Sequence, residues 1–179
     1  MGQYYKPISL NNEGQLVNEW VLSHDYNNGL KLMEHSWLGN DFVSVVETLL
    51  ISGGKWYKKG IVWAGDYADE ETDSKTNLYS RCKDENKINP IGIVDDEKYC
   101  YIVNHTKQQF VDKRKVPAAG NDGWKIHPLP LLTCEGNGRG GGDYHGENDI
   151  IGSWSRNSIS IECTIPEGYT ELEFILTED

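Results

Sequence analysis

The densest group of chemically versatile residues lies between positions 134 and 149. Five of the eight residues from 135 to 142 are glycines, and Arg139 lies among them. Glycine-rich turns expose backbone N–H groups that can surround an anion, and an arginine adds a permanently charged, bidentate donor. We therefore expect non-catalytic binding of a small phosphorylated, nucleotide-like or carboxylated ligand by Gly138, Arg139, Gly140, Gly141, Gly142, Asp143 and Tyr144. The alternative is a tight turn whose glycines only satisfy backbone geometry.

The same segment carries acidic and imidazole side chains at every second position: Asp143, His145, Glu147 and Asp149. An extended chain points all four to one side, and mostly oxygen ligands suit Mg²⁺, Mn²⁺ or Ca²⁺ rather than zinc. This pattern gives a second hypothesis, a metal-assisted hydrolase in which Asp66, Asp143 and either His145 or His127 converge on a divalent cation. A solvated polar strand is the alternative, and no other cofactor is predicted.

Three further side chains, Asp66, Trp124 and His127, complete the candidate ligand site, and Cys134 is considered beside them only as a nucleophile. His127 precedes Pro128-Leu129-Pro130, a sequence that we expect to be extended and stiff, and a histidine held there can act as a general acid or base. Trp124 is the tryptophan that we expect to be partly exposed, where its ring can stack on a ligand. Cys134 is a poor nucleophile, because the adjacent Glu135 raises a thiol pKa.

The net charge limits the partners of the chain. Its 179 residues include 17 Lys+Arg against 28 Asp+Glu, a formal charge of −11. Such a charge repels phosphate backbones, and the largest basic cluster is Lys113-Arg114-Lys115, so duplex nucleic acid is a poor partner. The acidic surface favours a third hypothesis, a protein-binding module such as a phage-encoded inhibitor that presents an acidic face to a basic host factor.

The sequence contains no apolar run of the length that a membrane span needs. Its first residues also lack the apolar core of a secretion signal. We therefore expect a cytoplasmic protein with no membrane partner.

Hydrophobic periodicity predicts a sheet-dominated α+β single domain, residues 1–179, with one or two helices. The clearer helix covers residues 41–52, with its apolar side chains on one face and Asn40 or Asp41 as N-cap. A weaker pattern predicts a helix over residues 30–37. Runs rich in β-branched and aromatic residues predict strands at residues 4–10, 16–22, 56–63, 99–104, 109–112, 158–165 and 171–176.

An internal similarity links the two halves of the chain. Residues 4–11 resemble residues 99–106, and a Gly-Asp-Tyr sequence occurs in each half, at residues 65–67 and 142–144. The first Gly-Asp-Tyr follows a predicted strand, and the second follows Leu131-Leu132. Two interpretations stay open: an internal duplication about a pseudo-twofold axis, or chance similarity among short strands.

The four cysteines are Cys82, Cys100, Cys134 and Cys163, and no C-x-x-C pair occurs among them. This spacing argues against a zinc site or a thioredoxin-like motif and predicts free thiols. Cys100 and Cys163 lie in strand-like apolar runs, where a thiol is usually a small buried hydrophobe.

Several segments together carry a family resemblance: residues 1–5 (MGQYY), 29–35 (GLKLMEH), 63–68 (WAGDYA), 103–107 (VNHTK) and 127–144 (HPLPLLTCEGNGRGGGDY). In this combination the chain resembles a family of uncharacterised proteins found in bacteria, their phages and some microbial eukaryotes. The resemblance implies no particular reaction. No catalytic role is therefore carried over to any residue.

Overall fold

The computed structural model describes residues 3–11, 16–118, 123–136 and 149–175. Within these residues the fold is sheet-dominated α+β, as the periodicity predicts. In chain order the strands are β1 (Tyr5–Leu10), β2 (Val17–Trp20), β3 (Ile61–Gly65), β4 (Tyr101–Asn104), β5 (Gln109–Asp112), β6 (Cys134–Glu135), β7 (Ile159–Glu162) and β8 (Thr170–Glu171). The α-helices are α1 (Leu32–His35), α2 (Asp41–Leu50) and α3 (Pro128–Thr133), and short 3₁₀ helices cover Ser23–Tyr26, Tyr79–Arg81, Asp84–Asn86 and Lys113–Lys115.

The strands form two mixed sheets of four, with orders β2-β1-β3-β6 and β7-β4-β5-β8. In the first sheet β1 pairs antiparallel with β2 and β3, and β3 pairs parallel with β6. In the second sheet β4 pairs antiparallel with β5 and β7, and β5 pairs parallel with β8. An antiparallel bridge between Gly60 and Ser158 links the start of β3 to the start of β7.

One hydrophobic cluster joins the two sheets and α2. Trp63 of β3, Ile102 of β4 and Ile161 of β7 are fully buried in it, together with Phe42 and Leu50 of α2. Aromatic side chains bury a large area each, so they compensate for the modest aliphatic content of the chain. α2 is therefore held against both sheets at the centre of the protein.

The helix α2 begins where the sequence predicts and ends slightly earlier. The side chain of Asn40 accepts hydrogen bonds from the backbone N–H groups of Phe42 and Val43, at 2.9 and 3.1 Å, which satisfies two donors of the first turn. The helix stops at Leu50 rather than Ser52 because Ile51 is extended, with φ −81° and ψ 164°.

The helix predicted over residues 30–37 is present but shorter, as the single turn α1. Other local expectations are wrong. Residues 56–59 form a turn rather than the start of β3 because Lys58 takes a left-handed φ of 61°. Pro128-Leu129-Pro130 is not extended but opens α3. A proline in the first helical turn loses no hydrogen bond, since the first N–H groups of a helix have no intrahelical partner.

Along each sheet the strand pairs are antiparallel, antiparallel and parallel in turn, but the chain connects the strands of the two sheets in different orders. The inner strands β1 and β4 correspond to the two segments that the sequence comparison aligned. Leu131 and Leu132 are helical, however, whereas the segment before the first Gly-Asp-Tyr is a strand. The expected correspondence of the two halves is therefore not seen at that position.

All four cysteines are free thiols, as expected. Cys82, Cys100 and Cys134 are buried, whereas Cys163 is exposed. The expected burial of Cys163 is wrong because β7 ends at Glu162, which leaves the thiol in the following turn.

Candidate functional site

Four titratable side chains form a continuous polar network beside α2, here called the Lys113 cluster: Glu47, Asp96, Lys113 and His127. Lys113 Nζ lies 2.5 Å from Glu47 Oε2 and 2.6 Å from Asp96 Oδ1. His127 Nε2 lies 2.8 Å from the other carboxylate oxygen of Glu47. The network therefore runs from the N-terminus of α3, through α2 and the 3₁₀ helix Lys113–Lys115, to the turn that holds Asp96.

The hydrogen bonds of His127 define its tautomer. The backbone N–H of Leu129 donates to Nδ1 at 3.1 Å, so this nitrogen carries no proton. Nε2 therefore carries the proton and donates a hydrogen bond to Glu47. His127 is thus the N-cap of α3 and a hydrogen-bond donor to the cluster at the same time.

Three of the four side chains of the Lys113 cluster are almost completely removed from solvent. The side chains of Glu47, Lys113 and His127 are each 1% exposed, and Asp96 is 32% exposed. Burial alone raises the pKa of Glu47, but the adjacent His127 and Lys113 outweigh it and hold the pKa below its usual value. Glu47 is therefore a buried carboxylate that keeps its charge.

The cluster has the spacing of a cation site, because ligand atoms of Glu47, Asp96 and His127 lie within 4.8 Å of one another. Lys113 occupies this position, since its ammonium group bonds both carboxylates. A metal ion at the same place would lie against that positive charge. The residues present do not fit a metal ion there.

A cavity of about 290 Å³, here called the Lys125 cavity, opens beside the exposed edge of the cluster. Charged side chains dominate its wall: Asp96, Glu97, Lys113, Arg114 and Lys125. Arg114 is tied to Asp112 through Nε and Nη2. Lys125 is half-buried and makes no ion pair within the described part of the chain.

A second ionic group, the Arg156 cluster, consists of Glu71, Glu135 and Arg156. Arg156 bonds both carboxylate oxygens of Glu135, at 2.7 and 2.9 Å, and it also bonds both oxygens of Glu71. Burial raises the pKa of Glu135, but the hydrogen bonds from Arg156 and Ser155 outweigh it and hold the pKa below its usual value. The cluster ties the acidic loop 66–75 to β6.

Beside the Arg156 cluster lies an acidic cavity of about 430 Å³, which also touches Gly136 at the start of the glycine-rich segment. Its described wall carries four carboxylates and one guanidinium: Asp69, Glu70, Glu71, Glu135 and Arg156. This wall repels anions.

Comparisons with known proteins add no assignment. No family model, curated protein or solved structure matches the chain. None of the helices in the described ranges is both long and apolar enough to cross a bilayer.

The residues of the sequence-based site lie in different surroundings. Gly138, Arg139, Gly140, Gly141, Gly142, Asp143 and Tyr144 fall outside the described residues, as do His145 and Glu147. Asp66 accepts a hydrogen bond from the backbone N–H of Tyr4 at 3.0 Å, whereas His127 bonds Glu47. Their described contacts thus belong to separate networks. Trp124 is 39% exposed, as expected.

Cys134 has the surroundings of a structural thiol. It is buried, and its Sγ donates to the carbonyl of Leu131 at 3.2 Å. Burial raises its pKa, and Glu135 raises it further. The low nucleophilicity expected from the sequence agrees with this arrangement.

The sequence interpretation missed Glu47, Asp96 and Lys113. A signal for Glu47 exists: it lies four residues after Val43 and three before Leu50, so it shares the buried face of α2. A charged residue on an apolar helix face needs a buried partner. Neither Lys113 nor Asp96 could be identified as that partner, because both are distant in sequence.

Proposed function

We propose that the chain binds a small ligand that carries a carboxylate or phosphate group, and that it does so in the Lys125 cavity. The observation that carries this proposal is Lys125 itself. Lys125 lines the cavity, is half-buried as a residue, and has no carboxylate partner among the described residues. A lysine at a cavity wall without a carboxylate partner can form a charge-assisted hydrogen bond with an anionic ligand.

Arg114 supplies a second donor at the same wall. Its Nε and Nη2 bond Asp112, and Nη2 also reaches the hydroxyl of Tyr101 at 3.1 Å. Nη1 has no partner within the described ranges. Since these bonds fix the plane of the guanidinium, Nη1 can donate to a ligand oxygen with little loss of side-chain entropy.

The acidic side chains of the wall narrow the ligand class. Asp96 is held by Lys113 and lines the same cavity as Glu97. Carboxylates accept hydrogen bonds and repel a ligand that is anionic throughout. The ligand therefore carries hydrogen-bond donors, such as an amino or hydroxyl group, in addition to its anionic group.

The position of this site differs from the one expected at residues 138–144. The described wall of the acidic cavity, where that segment begins, is unfavourable for an anion. The same ligand class is therefore proposed at Lys125 rather than at Arg139.

Calorimetric titration tests the proposal with a defined panel: inorganic phosphate, adenosine monophosphate, serine and phosphoserine. We expect at least one ligand that carries both an anionic group and a donor to bind, with affinity about tenfold weaker in Lys125→Ala, the loss of one charge-assisted hydrogen bond. The matched control is Lys75→Ala, which removes the same charge from an exposed loop position.

Two results would contradict the proposal. One is that no panel member binds the wild-type chain. The other is that binding weakens in Arg139→Ala but not in Lys125→Ala, which would return the ligand to the glycine-rich segment.

A further inference from the structure

Two isoleucines on one loop are exposed to an unusual degree. Ile91 is 89% exposed and Ile93 is 77% exposed, in the segment of residues 88–94 that we call the Ile91 loop. The backbones of Ile91, Gly92 and Ile93 make no hydrogen bond within the described part of the chain. Burial of an isoleucine side chain is worth roughly 1.5–3 kcal/mol. A partner that covers both side chains would therefore gain this free energy from each of them.

The Ile91 loop is nevertheless held in place. The hydroxyl of Tyr26 donates to the carbonyl of Pro90 at 2.5 Å, and the backbone N–H of Val94 donates to Ser44 Oγ at 2.7 Å. At the other end, the N–H of Ile88 bonds the carbonyl of Trp20 at 2.9 Å. A loop anchored at both ends presents its side chains with a small entropic cost on binding.

The surroundings of the Ile91 loop are acidic. Residues 84–98 contain five acidic and two basic side chains, and Asp95 and Glu97 are exposed. A cavity of about 360 Å³ beside Ile91 is lined by Asp25, Tyr26, Lys87 and Pro90 among others, and the Asp25 carboxylate is already paired with Lys87 at 3.0 Å. The described wall of the cavity therefore offers no free charge, and the exposed carboxylate of Asp95, two residues after Ile93, is the group that suits a lysine or arginine side chain of a partner.

We propose that the Ile91 loop is a docking surface for a segment of another protein that combines apolar and basic residues. The apolar residues of the segment cover Ile91 and Ile93, and a basic residue pairs with the exposed carboxylate of Asp95 beside them. A second copy of this chain is a poorer occupant, because each copy carries a formal charge of −11. This surface is separate from the proposed ligand site and does not depend on it.

Selection from a displayed library of random dodecapeptides tests the proposal with the full-length chain. We expect enriched peptides to contain apolar residues next to lysine or arginine. Their affinity falls by roughly 30-fold or more in the double variant Ile91→Asn with Ile93→Asn, as expected for two buried isoleucines. It also falls at high salt. The matched control is Ile165→Asn, which changes an exposed isoleucine elsewhere.

Circular dichroism of the double variant verifies its fold, and a folded variant is expected because both side chains are exposed. The proposal is overturned if no peptide is enriched, if enriched peptides lack basic residues, or if they bind the folded double variant as tightly as wild type. Light scattering gives a separate check. A wild-type dimer that the double substitution dissociates would assign the surface to self-association and also overturn the proposal.

Discussion

The Lys113 cluster and the Arg156 cluster have the same arrangement, a cation between two carboxylates, in very different surroundings. Lys113 and Glu47 are each 1% exposed, whereas Arg156 is 34% and Glu135 is 26% exposed. The desolvation cost of Lys113 and Glu47 must be offset by their own hydrogen bonds, although Asp96 keeps part of its exposure. In the second cluster the side chains keep part of their hydration, so their desolvation cost is smaller, and solvent also screens the attraction between the charges.

This difference separates two kinds of ionic contact in one chain. The Lys113 cluster joins α2, the start of α3 and the 3₁₀ helix Lys113–Lys115, so its loss disturbs the packed centre. The Arg156 cluster ties an exposed acidic loop to the short strand β6. Exposure, rather than the number of ion pairs, therefore sets how much each cluster contributes to stability.

The largest expected effect is that of Lys113→Met. This change leaves the buried Glu47 without its ammonium partner, and we expect the free energy of unfolding to fall by about 3–5 kcal/mol. Urea denaturation measures the loss. The double variant Lys113→Met with Glu47→Met should be less destabilised than the sum of the two single changes, because it removes both charges. A loss no larger than that of an exposed ion pair would show that the cluster is not desolvated as described.

The pH dependence of stability gives the next effect. The pKa of Glu47 in the folded protein lies below its usual value of 4.5. A carboxyl group with a lowered folded pKa contributes stability above that usual value and loses the contribution as the pH falls through the folded pKa. We expect wild type to lose more stability than Glu47→Gln between about pH 5 and about pH 3, by at most about 1.4 kcal/mol per pH unit. Parallel pH profiles would contradict the lowered pKa.

The sequence was informative where local chemistry decides the structure. The boundaries of β5 depend on short-range preferences and agree with the prediction, and the N-cap of α2 is Asn40, one of the two residues that the sequence leaves open. α3 was missed because two prolines suggested an extended segment. The side chain of His127 caps the first turn of α3, and that turn tolerates both prolines. These two features decide that the segment is helical.

The candidate site was less predictable because its contacts are long-range. Glu47 and Lys113 are 66 residues apart, and Glu47 and His127 are 80 residues apart. No local pattern specifies such pairs. His127 was identified as a chemically able residue, but its position next to proline gave no indication that its partner is a glutamate on the buried face of α2.

A smaller effect is expected at the Arg156 cluster. Arg156→Ala removes the bonds to both Glu71 and Glu135, and after allowance for solvent screening we expect a loss of about 1–2 kcal/mol. Arg156 has a left-handed φ of 67°, which is unfavourable for arginine and alanine alike, whereas glycine would remove this backbone strain. Alanine is therefore the suitable replacement, because it removes the side-chain bonds and leaves the backbone strain unchanged. The loss should shrink in about 1 M salt, while that of Lys113→Met should not. Equal salt dependence of the two variants would contradict the comparison of the clusters.

The smallest expected effect is at the ion pair between Asp73 and Arg81. Its geometry is good, with 2.7 Å between Arg81 Nη2 and Asp73 Oδ1, but the Asp73 side chain is 60% exposed. Asp73→Asn keeps a hydrogen-bond acceptor and removes the charge, so we expect no measurable change in the urea midpoint. If this variant is destabilised as much as Arg156→Ala, the exposed fraction does not rank the ionic contacts of this chain. Short distance alone would then account for their contribution to stability.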